Sequence, residues 1–319
     1  MSQQVIVKGT KGKYIIFEKV LGKGAYGVVC LAQCESNGTY LAAKIVIKKS
    51  LSAQDIQNLR NEMKIQQTQS HPNIVAMVDT FEDDIFLYMM LEYCSGGCLF
   101  RKLQLSGPFK EEKAFHYFSQ ILSAVQHLHQ NNILHRDIKL SNILLTDQDE
   151  VKLADFTWAT NMIYGEVSPQ LCGTIEYMPP EVIQIRTQSE KVDIWSLGIV
   201  LYELLHNNFP NVDNIFMRKD ISYECKDQIL MMLEKSPYRR PTAQSIGSGT
   251  WFKKMRNQKE MMIRQSISVQ KSNSPLSKVN LKAIIGSPLR QSQEAQTCVS
   301  PMDLKYQSPI RESSTYMAF

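Results

Sequence analysis

The sequence predicts an α+β fold with two lobes. The small lobe, residues 14–92, should hold a five-stranded antiparallel sheet and one helix, and the larger lobe, residues 97–252, should be mainly helical. Short runs rich in β-branched and aromatic residues predict the strands. Apolar residues at helical spacing after Gly96-Gly97 predict the helices. Residues 1–13 precede the first lobe as an N-terminal extension.

Five segments of the small lobe are typical of strands and one segment between them is typical of a helix. Asn37-Gly38 is a strong hairpin signal between two of the strands. The helix prediction for residues 53–69 depends on Ile56, Leu59 and Met63, which recur at helical spacing. The predicted strands are Tyr14–Val20, Val28–Ala32, Tyr40–Ile47, Ile74–Phe81 and Ile85–Glu92. In the larger lobe the predicted helices are residues 110–130, 191–205, 224–234 and 242–252.

Composition excludes several classes of protein. No run approaches the roughly 20 apolar residues that a membrane span needs, and the N-terminus lacks the apolar segment of a signal peptide. Seven cysteines are present and none forms a C-x-x-C pair, so we expect reduced thiols in the cytoplasm or nucleus. No direct nucleic-acid site is expected.

A glycine-rich loop joins the first two predicted strands. Gly22, Gly24, Gly27 and Val29 form the pattern G-x-G-x-x-G-x-V. Glycines let a backbone close over phosphates without Cβ clashes, although glycines are also common in ordinary turns. The loop alone therefore leaves a phosphate-binding loop and a structural turn equally open.

A lysine lies in the middle of the third predicted strand. Lys44 has apolar neighbours on both sides, so its ammonium group must reach a polar partner or stay exposed at an edge. Glu62, on the predicted helix, is the natural partner. A lysine fixed by a glutamate could contact the α- and β-phosphates of a nucleotide.

The segment from His135 to Asn142 is the strongest signal for chemistry. Asp137 can accept a hydroxyl proton, Lys139 can neutralise a transferring phosphoryl group, and Asn142 can hold a metal. Asp155 follows a predicted strand and offers a hard oxygen ligand that suits Mg²⁺. Together these groups indicate phosphoryl transfer.

Three further motifs complete an ordered set: Cys172-Gly173-Thr174 through Pro179-Pro180-Glu181, then Asp193-Ile194-Trp195-Ser196-Leu197-Gly198, then Arg239-Arg240-Pro241. With these motifs the sequence resembles the protein kinases over residues 14–252. The resemblance implies ATP and Mg²⁺ in a cleft between the lobes, with Asn142 and Asp155 on the metal. It also implies ATP contacts from Leu21, Gly22, Gly24, Gly27, Val29, Ala42, Lys44, Leu91, Glu92, Cys94, Leu144 and Asp155. Leu91 would be the gatekeeper, and the backbone of Glu92 and Cys94 would bond adenine.

Within the family, Lys139 and the Gly173-Thr174 pair resemble serine/threonine kinases. Residues 155–158, 171–181 and 190–198 resemble Aurora kinases, although calmodulin-regulated and polo kinases share parts of these strings. The resemblance implies protein substrates with serine or threonine acceptors, and a targeting or activating protein. It also implies a cell-division role at spindle or centrosome-like structures.

Two residues of the predicted activation loop depart from the family pattern. Thr157 replaces the glycine of D-F-G, and a β-branched residue should restrict a flip of that motif. Gln170 stands where Aurora-type loops carry a phosphorylated threonine. Ser168 is the nearest replacement, so either its phosphorylation or no phosphorylation at all orders this loop, in which Thr174 also lies. These departures leave a nucleotide-binding pseudokinase or scaffold as the alternative to an active kinase.

Residues 253–319 are predicted to be a basic tail, with a short helix to Met262 and disorder beyond it. The tail holds 11 basic and 4 acidic residues, whereas residues 1–252 hold 25 basic and 27 acidic residues. This charge gives solubility or a weak attraction to acidic partners. Four Ser-Pro pairs arise by chance or are phosphorylation sites: Ser274, Ser287, Ser300 and Ser308.

Overall fold

A computed structural model describes residues 4–24 and 27–272. It confirms the predicted α+β architecture, with a sheet lobe followed by a mainly helical lobe. The sheet has the strand order β1-β2-β3-β4-β6-β5, and every neighbouring pair is antiparallel. Its strands are β1 (Gln4–Lys8), β2 (Lys13–Gly24), β3 (Gly27–Cys34), β4 (Tyr40–Ile47), β5 (Met77–Glu82) and β6 (Phe86–Glu92).

Strand β1 lies in the predicted N-terminal extension, so the prediction of five strands was wrong by one. Four of its five residues are exposed, and it therefore lacks the alternating buried face that marks a strand in sequence. The turn after β1 is fixed to Asp79, a buried carboxylate on β5. Its oxygens accept hydrogen bonds from the Thr10 hydroxyl, from the Lys11 amide at 2.8 Å and from the Tyr14 hydroxyl at 2.9 Å.

Helix α1 (Ala53–Gln67) covers the sheet and ends two residues earlier than predicted. Ser52 caps its first turn, because the Ser52 hydroxyl accepts from the Asp55 amide while the Asp55 carboxylate accepts from the Ser52 amide. Such a capping box satisfies amides that have no partner within the helix. The helix presents Glu62 to the sheet, where that side chain is 2% exposed.

The segment before β5 connects the lobes instead of extending the strand. Residues 74–76, predicted as strand, lie outside β5, which begins at Met77. Ile74 forms a parallel bridge with Leu153 of the large lobe, and the Val75 amide donates to the Leu153 carbonyl at 2.9 Å. Because the backbone of Ile74 and Val75 pairs with Leu153, these residues do not extend strand β5.

The large lobe is organised around a helix that is buried on all sides. Fourteen of the 16 residues of this helix, α5, are buried, which explains its almost continuous apolar sequence. The helices of this lobe are α2 (Leu99–Ser106), α3 (Glu111–Gln130), α4 (Pro180–Ile183), α5 (Lys191–His206), α6 (Tyr223–Met232), α7 (Ala243–Gly247) and α8 (Thr250–Ser272). Short antiparallel pairs are β7 (Ile133–Leu134) with β10 (Thr160–Asn161), β8 (Ile143–Leu145) with β9 (Val151–Leu153), and β11 (Glu166–Val167) with β12 (Gln188–Ser189).

The C-terminal part differs from the prediction in two respects. The single helix predicted for residues 242–252 is two helices, α7 and α8, separated at Ser248-Gly249. Helix α8 also continues to Ser272, ten residues beyond the predicted end at Met262. The described residues fall into two units, one that ends at residue 258 and one that begins at residue 259. The four Ser-Pro sites lie outside the described residues, and no helix within the described part is long and apolar enough to cross a membrane.

Candidate active site

Lys44 is partly buried and forms an ion pair with the buried Glu62, the partner named from its place on the predicted helix. The Lys44 ammonium lies 2.8 Å from a Glu62 oxygen and 3.9 Å from Asp155 Oδ1. Strand β4 holds Lys44 between Val29 on β3 and Met89 on β6. Burial opposes the charge on Lys44, but the two neighbouring carboxylates raise its pKa above the ordinary value. Lys44 is therefore held as a cation between Glu62 and Asp155.

Asp137 lies at the centre of a polar cluster in the large lobe. Its Oδ2 accepts a hydrogen bond from the Asn142 amide at 2.9 Å and lies 3.0 Å from the Lys139 ammonium. Its Oδ1 accepts from the Thr174 hydroxyl at 2.7 Å, and Lys139 donates to the same hydroxyl at 2.7 Å. Asp137 is only 5% exposed, so these contacts act in a region of low dielectric. The structure thus brings together a carboxylate, an ammonium group and a hydroxyl.

The backbone of this cluster is fixed from below by Asp193 of α5. The two Asp193 oxygens accept from the His135 amide at 3.0 Å and from the Arg136 amide at 2.9 Å, and His129 adds a contact of 2.8 Å. Burial opposes the Asp193 charge, but these donors lower its pKa below the ordinary value. Arg136 has a φ of 64°, which a non-glycine residue adopts only under constraint. The central helix thus positions the loop that carries Asp137.

Asp155 presents a carboxylate near Lys44, and Asn142 presents an amide next to Asp137. The Asn142 amide nitrogen donates to the carbonyl and the carboxylate of Asp137, which leaves the amide oxygen free of those bonds. The Asp155 side chain is 41% exposed, and its Oδ1 accepts from the Thr157 hydroxyl at 2.7 Å. Carboxylate and amide oxygens are the ligands that a hard divalent cation prefers. The donor set therefore fits such a metal.

The glycine-rich loop combines a structural and an open part. A Cβ atom on Gly27 would lie 2.0 Å from the Ile45 carbonyl oxygen, so the close approach of β3 to β4 requires glycine there. The same atom on Gly22 would meet nothing within 4 Å, and on Gly24 only the backbone of Gly27 at that limit. Packing accounts for the last glycine, whereas the first two leave space that a ligand could fill.

The residues predicted to contact adenine lie on the inner strands β2, β3, β4 and β6, just after β6, and on β8. Leu91 is paired with Ala42, and Glu92 forms an ion pair with Lys152 of β9 at 2.6 Å. Cys94 is buried, and burial raises the pKa of its thiol to about 12, so it stays protonated. The remaining positions are only partly buried, as expected for residues that line a cleft: Leu21, Val29, Ala42, Leu91, Glu92 and Leu144. Their ATP contacts stay predictions.

Gln170 contacts the arginine that precedes Asp137. Its side-chain oxygen accepts from the Arg136 guanidinium at 3.1 Å, and that guanidinium also donates to the Trp158 carbonyl at 2.7 Å. Gln188 donates to the Gln170 carbonyl next to the β11–β12 pair. A cavity of about 400 Å³ beside these groups is lined by α1 residues such as Lys64. This face of Arg136 is thus held by neutral oxygen atoms.

The comparison with known families decides what this arrangement is. The protein kinase domain family matches residues 15–252. The chain belongs to the protein kinase family. Members of this family use ATP with a divalent metal and phosphorylate protein substrates, which the ordered motifs and the site geometry predicted.

Three relatives of the kinase are Aurora kinases. An Aurora kinase of Dictyostelium discoideum is 35% identical over 257 residues, which cover 76% of this chain and 67% of the relative. Aurora kinase B of Danio rerio is 34% identical over 253 residues, covering 73% and 77%. An Aurora kinase of Debaryomyces hansenii is 36% identical over 256 residues, covering 75% of this chain and 62% of the relative. The kinase is therefore an Aurora-like serine/threonine protein kinase.

Sequence reasoning found the charged groups of the site and missed most of their neutral partners. It placed Thr174 in the activation loop without its bonds to Asp137 and Lys139. It treated Thr157 as a restriction on backbone movement and not as a hydrogen-bond donor. A hydroxyl has no charge pattern to read in sequence, and its partner depends on a turn of the backbone. Only the departure from the family glycine signalled Thr157.

Proposed function

We propose that this kinase transfers the γ-phosphoryl group of Mg²⁺-bound ATP to serine and threonine hydroxyls of protein substrates. The observation that carries the proposal is the Thr174 hydroxyl, which contacts both Asp137 and Lys139 at 2.7 Å. A general base must lie within hydrogen-bond reach of the hydroxyl proton that it removes. The Thr174 hydroxyl lies between Asp137 and Lys139, so a substrate hydroxyl at the same place would be within hydrogen-bond distance of Asp137.

The transfer itself needs positioning and charge neutralisation more than covalent chemistry. Asp137 accepts the proton of the substrate hydroxyl, and the oxygen of that substrate hydroxyl forms a bond to the γ-phosphorus. The bond between that phosphorus and the β–γ bridging oxygen breaks, and ADP leaves with the electron pair. Lys139 offsets negative charge on the moving phosphoryl group, and Lys44, held by Glu62, contacts the α- and β-phosphates.

Residues around the cleft would hold the nucleotide and the metal. Asn142 and Asp155 would bind Mg²⁺, which when bound neutralises charge on the phosphates. The first glycines of the loop would cover the phosphates with their backbone amides. Apolar side chains would enclose adenine, and the backbone of two further residues would bond it: Leu21, Val29, Ala42, Leu91 and Leu144, then Glu92 and Cys94.

The same proposal includes activation without a phosphate. The Gln170 amide takes the contact with Arg136 that a phosphate would otherwise make. Arg136 is 8% exposed, so a lost partner would leave its guanidinium under-satisfied and the loop unattached. Phosphorylation of Ser168 is then dispensable, and Ser168→Ala should leave the rate of phosphoryl transfer unchanged.

The cellular role follows from similarity to the Aurora kinases. The kinase acts in cell division in the cytoplasm or nucleus, at spindle or centrosome-like structures, with a targeting or activating protein. Phosphates on the Ser-Pro sites of the tail would each add about −1.5 to −2 charge and offset its basic character. Imaging of the tagged kinase through the cell cycle tests this role, and a uniform distribution in dividing cells would contradict it.

Transfer of radioactive phosphate from ATP to myelin basic protein and casein tests the proposed reaction. The wild type should label serine and threonine, as read by phosphoamino-acid analysis, and only when Mg²⁺ is present. Asp155→Asn removes a charge at the phosphates, whereas Lys44→Arg keeps the charge but replaces a compact ammonium group with a larger, planar one. Each should reduce labelling by about 10²–10³-fold. Absence of labelling by the wild type, or labelling unaffected by both variants, would contradict the proposal.

A further inference from the structure

Thr157 makes a contact that the family's glycine cannot make. Its hydroxyl donates to Asp155 Oδ1 at 2.7 Å, within the usual range for a hydrogen bond between oxygens. Asp155 has a φ of 65°, and this turn of the backbone precedes Phe156 and Thr157. Phe156 is fully buried and packs edge to face on His135 at 5.0 Å. The turn that carries the hydroxyl is therefore anchored in the core.

The Thr157 contact divides the two oxygens of the Asp155 carboxylate. Oδ1 receives the hydroxyl and is also the oxygen that lies 3.9 Å from the Lys44 ammonium. Oδ2 accepts no hydrogen bond from a side chain of the described residues, and the Asp155 side chain is 41% exposed. The Thr157 hydroxyl thus holds one oxygen, and no side chain of the described residues holds the other.

The contacts of Asp155 lie on the same side of its carboxylate. The Thr157 hydroxyl donates to Oδ1, and the Lys44 ammonium lies 3.9 Å from that oxygen. The carboxylate is thus an anion that two protein groups hold on one side. A side chain in this state keeps less rotational freedom to lose when a ligand binds its free oxygen.

We infer that Thr157 is a positioning residue that orients Asp155 so that Oδ2 is preset to bind the divalent metal. The inference rests on the proposed function, since it assigns the metal to Asp155. Groups that hydrogen-bond a metal ligand fix its orientation, and their loss typically lowers metal affinity about 10–100-fold. Threonine at position 157 restricts the backbone more than glycine would, but it also orders the Asp155 side chain that would bind the metal.

Mn²⁺ binding to the full-length kinase tests this inference without using turnover. Free Mn²⁺ is measured by electron paramagnetic resonance in the presence of a non-hydrolysable ATP analogue. Thr157→Val keeps the shape and removes the hydroxyl, Thr157→Ser keeps the hydroxyl, and Thr157→Gly removes both. Thr160→Val is the matched control. Thr160 lines the same cavity beside Arg136 as Thr157 does, and its hydroxyl donates no hydrogen bond among the described residues.

Thr157→Val and Thr157→Gly should bind Mn²⁺ about 10–100-fold more weakly than the wild type. Thr157→Ser and Thr160→Val should stay within about two-fold of it. Binding by Thr157→Val at the wild-type affinity, or equal losses in the serine and valine variants, would overturn the inference. If thermal unfolding shows that the valine variant does not fold, the serine and glycine variants decide the question.

Asp155→Asn separates this inference from the proposed function. It should lose Mn²⁺ binding in the same assay, while binding of the analogue without metal is retained. If the wild type does not bind Mn²⁺ with the analogue, or if Asp155→Asn binds it equally well, the proposed metal site itself is wrong. Failure of the Thr157 variants alone would leave that site intact and remove only the role of the hydroxyl.

Discussion

The catalytic cluster and the activation segment of this kinase are held together by different kinds of contact. In the cluster, the ion pairs Lys44–Glu62 at 2.8 Å and Lys139–Asp137 at 3.0 Å involve charge on both sides. Along residues 155–181 the segment itself offers hydroxyl and amide groups, such as Thr157, Thr174 and Gln170, to charged partners.

This difference separates the chemistry from its regulation. Charge-assisted contacts in a buried site are strong, and removing one partner leaves an uncompensated charge. A hydrogen bond between a neutral and a charged group contributes about 1.5–3 kcal/mol net, and losing the neutral partner removes no charge. The segment is therefore held by several separate contacts of this kind, whereas the cluster depends on each of its charged members.

The largest effect is expected from Asp137→Asn. This variant keeps the size of the side chain but removes the base, so the rate of phosphoryl transfer should fall by about 10³–10⁴-fold. Asp84→Asn, at an exposed aspartate of the small lobe, is the control and should keep the wild-type rate. A loss of less than ten-fold in Asp137→Asn would show that the cluster is not the reacting site.

Glu62→Gln should have the next largest effect. It leaves the partly buried Lys44 without its closest carboxylate, and kcat/KM for ATP should fall about 10²–10³-fold. Glu82→Gln is a matched control on the same lobe, because Glu82 pairs with Arg60 at the surface at 3.1 Å. Exposed pairs contribute little, so the control should change kcat/KM by less than about two-fold. Equal losses in both variants would remove the distinction between buried and surface charge.

The buried Glu203 is expected to stay protonated, and therefore uncharged, to a higher pH than an ordinary glutamate. Burial raises the pKa of Glu203 to about 7, and the Tyr177 hydroxyl donates to it at 2.5 Å. Between the unfolded pKa near 4.5 and pH 7, the native state keeps a proton that the unfolded state releases. The free energy of unfolding should therefore fall as pH rises through this window.

The measurement is the pH dependence of urea unfolding for the wild type and for Glu203→Gln. Because glutamine does not titrate, the wild type should lose about 2–3 kcal/mol relative to the variant between pH 4.5 and 7. Other titrating groups contribute to both proteins and cancel in the difference. A difference that stays constant with pH would mean that Glu203 has an ordinary pKa.

The smallest effect is expected from Gln170. Gln170→Leu removes the oxygen that Arg136 contacts, and the rate should fall about ten-fold, equivalent to about 1.4 kcal/mol. Gln170→Glu keeps an acceptor and adds charge, so it should be at least as active as the wild type. The control is Gln184→Leu at an exposed position on the same lobe. Equal rates for Gln170→Leu and wild type would remove the role of this contact.

The charged residues of the catalytic cluster could be predicted from sequence, whereas the hydrogen bonds of the neutral residues in the activation segment could not. The positions of Lys44, Asp137 and Asp155 follow from motifs whose spacing fixes both the fold and the residue types. The partners of Gln170 and Thr157 depend on turns at Arg136 and Asp155 with φ near 65°, which side-chain patterns do not encode.

The fold shows the same limit at its two ends. Strand β1 was missed because most of its residues are exposed, so that its place in the sheet depends on the buried Asp79 some 70 residues later. Helix α8 was predicted too short because Ser, Gln and Lys dominate the sequence after Lys253 and sustained apolar periodicity is lost there. Contacts distant in sequence and mainly polar helices are both poorly marked by local periodicity.

The central claim is that this kinase is active with an activation segment that carries no phosphate. The most direct test is the initial rate of phosphoryl transfer by kinase that a phosphatase has stripped completely, with mass spectrometry confirming the state of Ser168 before the assay and at its earliest time point. We predict a rate within about two-fold of the untreated kinase, without a lag, and the same rate for Ser168→Ala. A stripped kinase that is inactive, and that gains activity only as Ser168 becomes phosphorylated, would contradict the account.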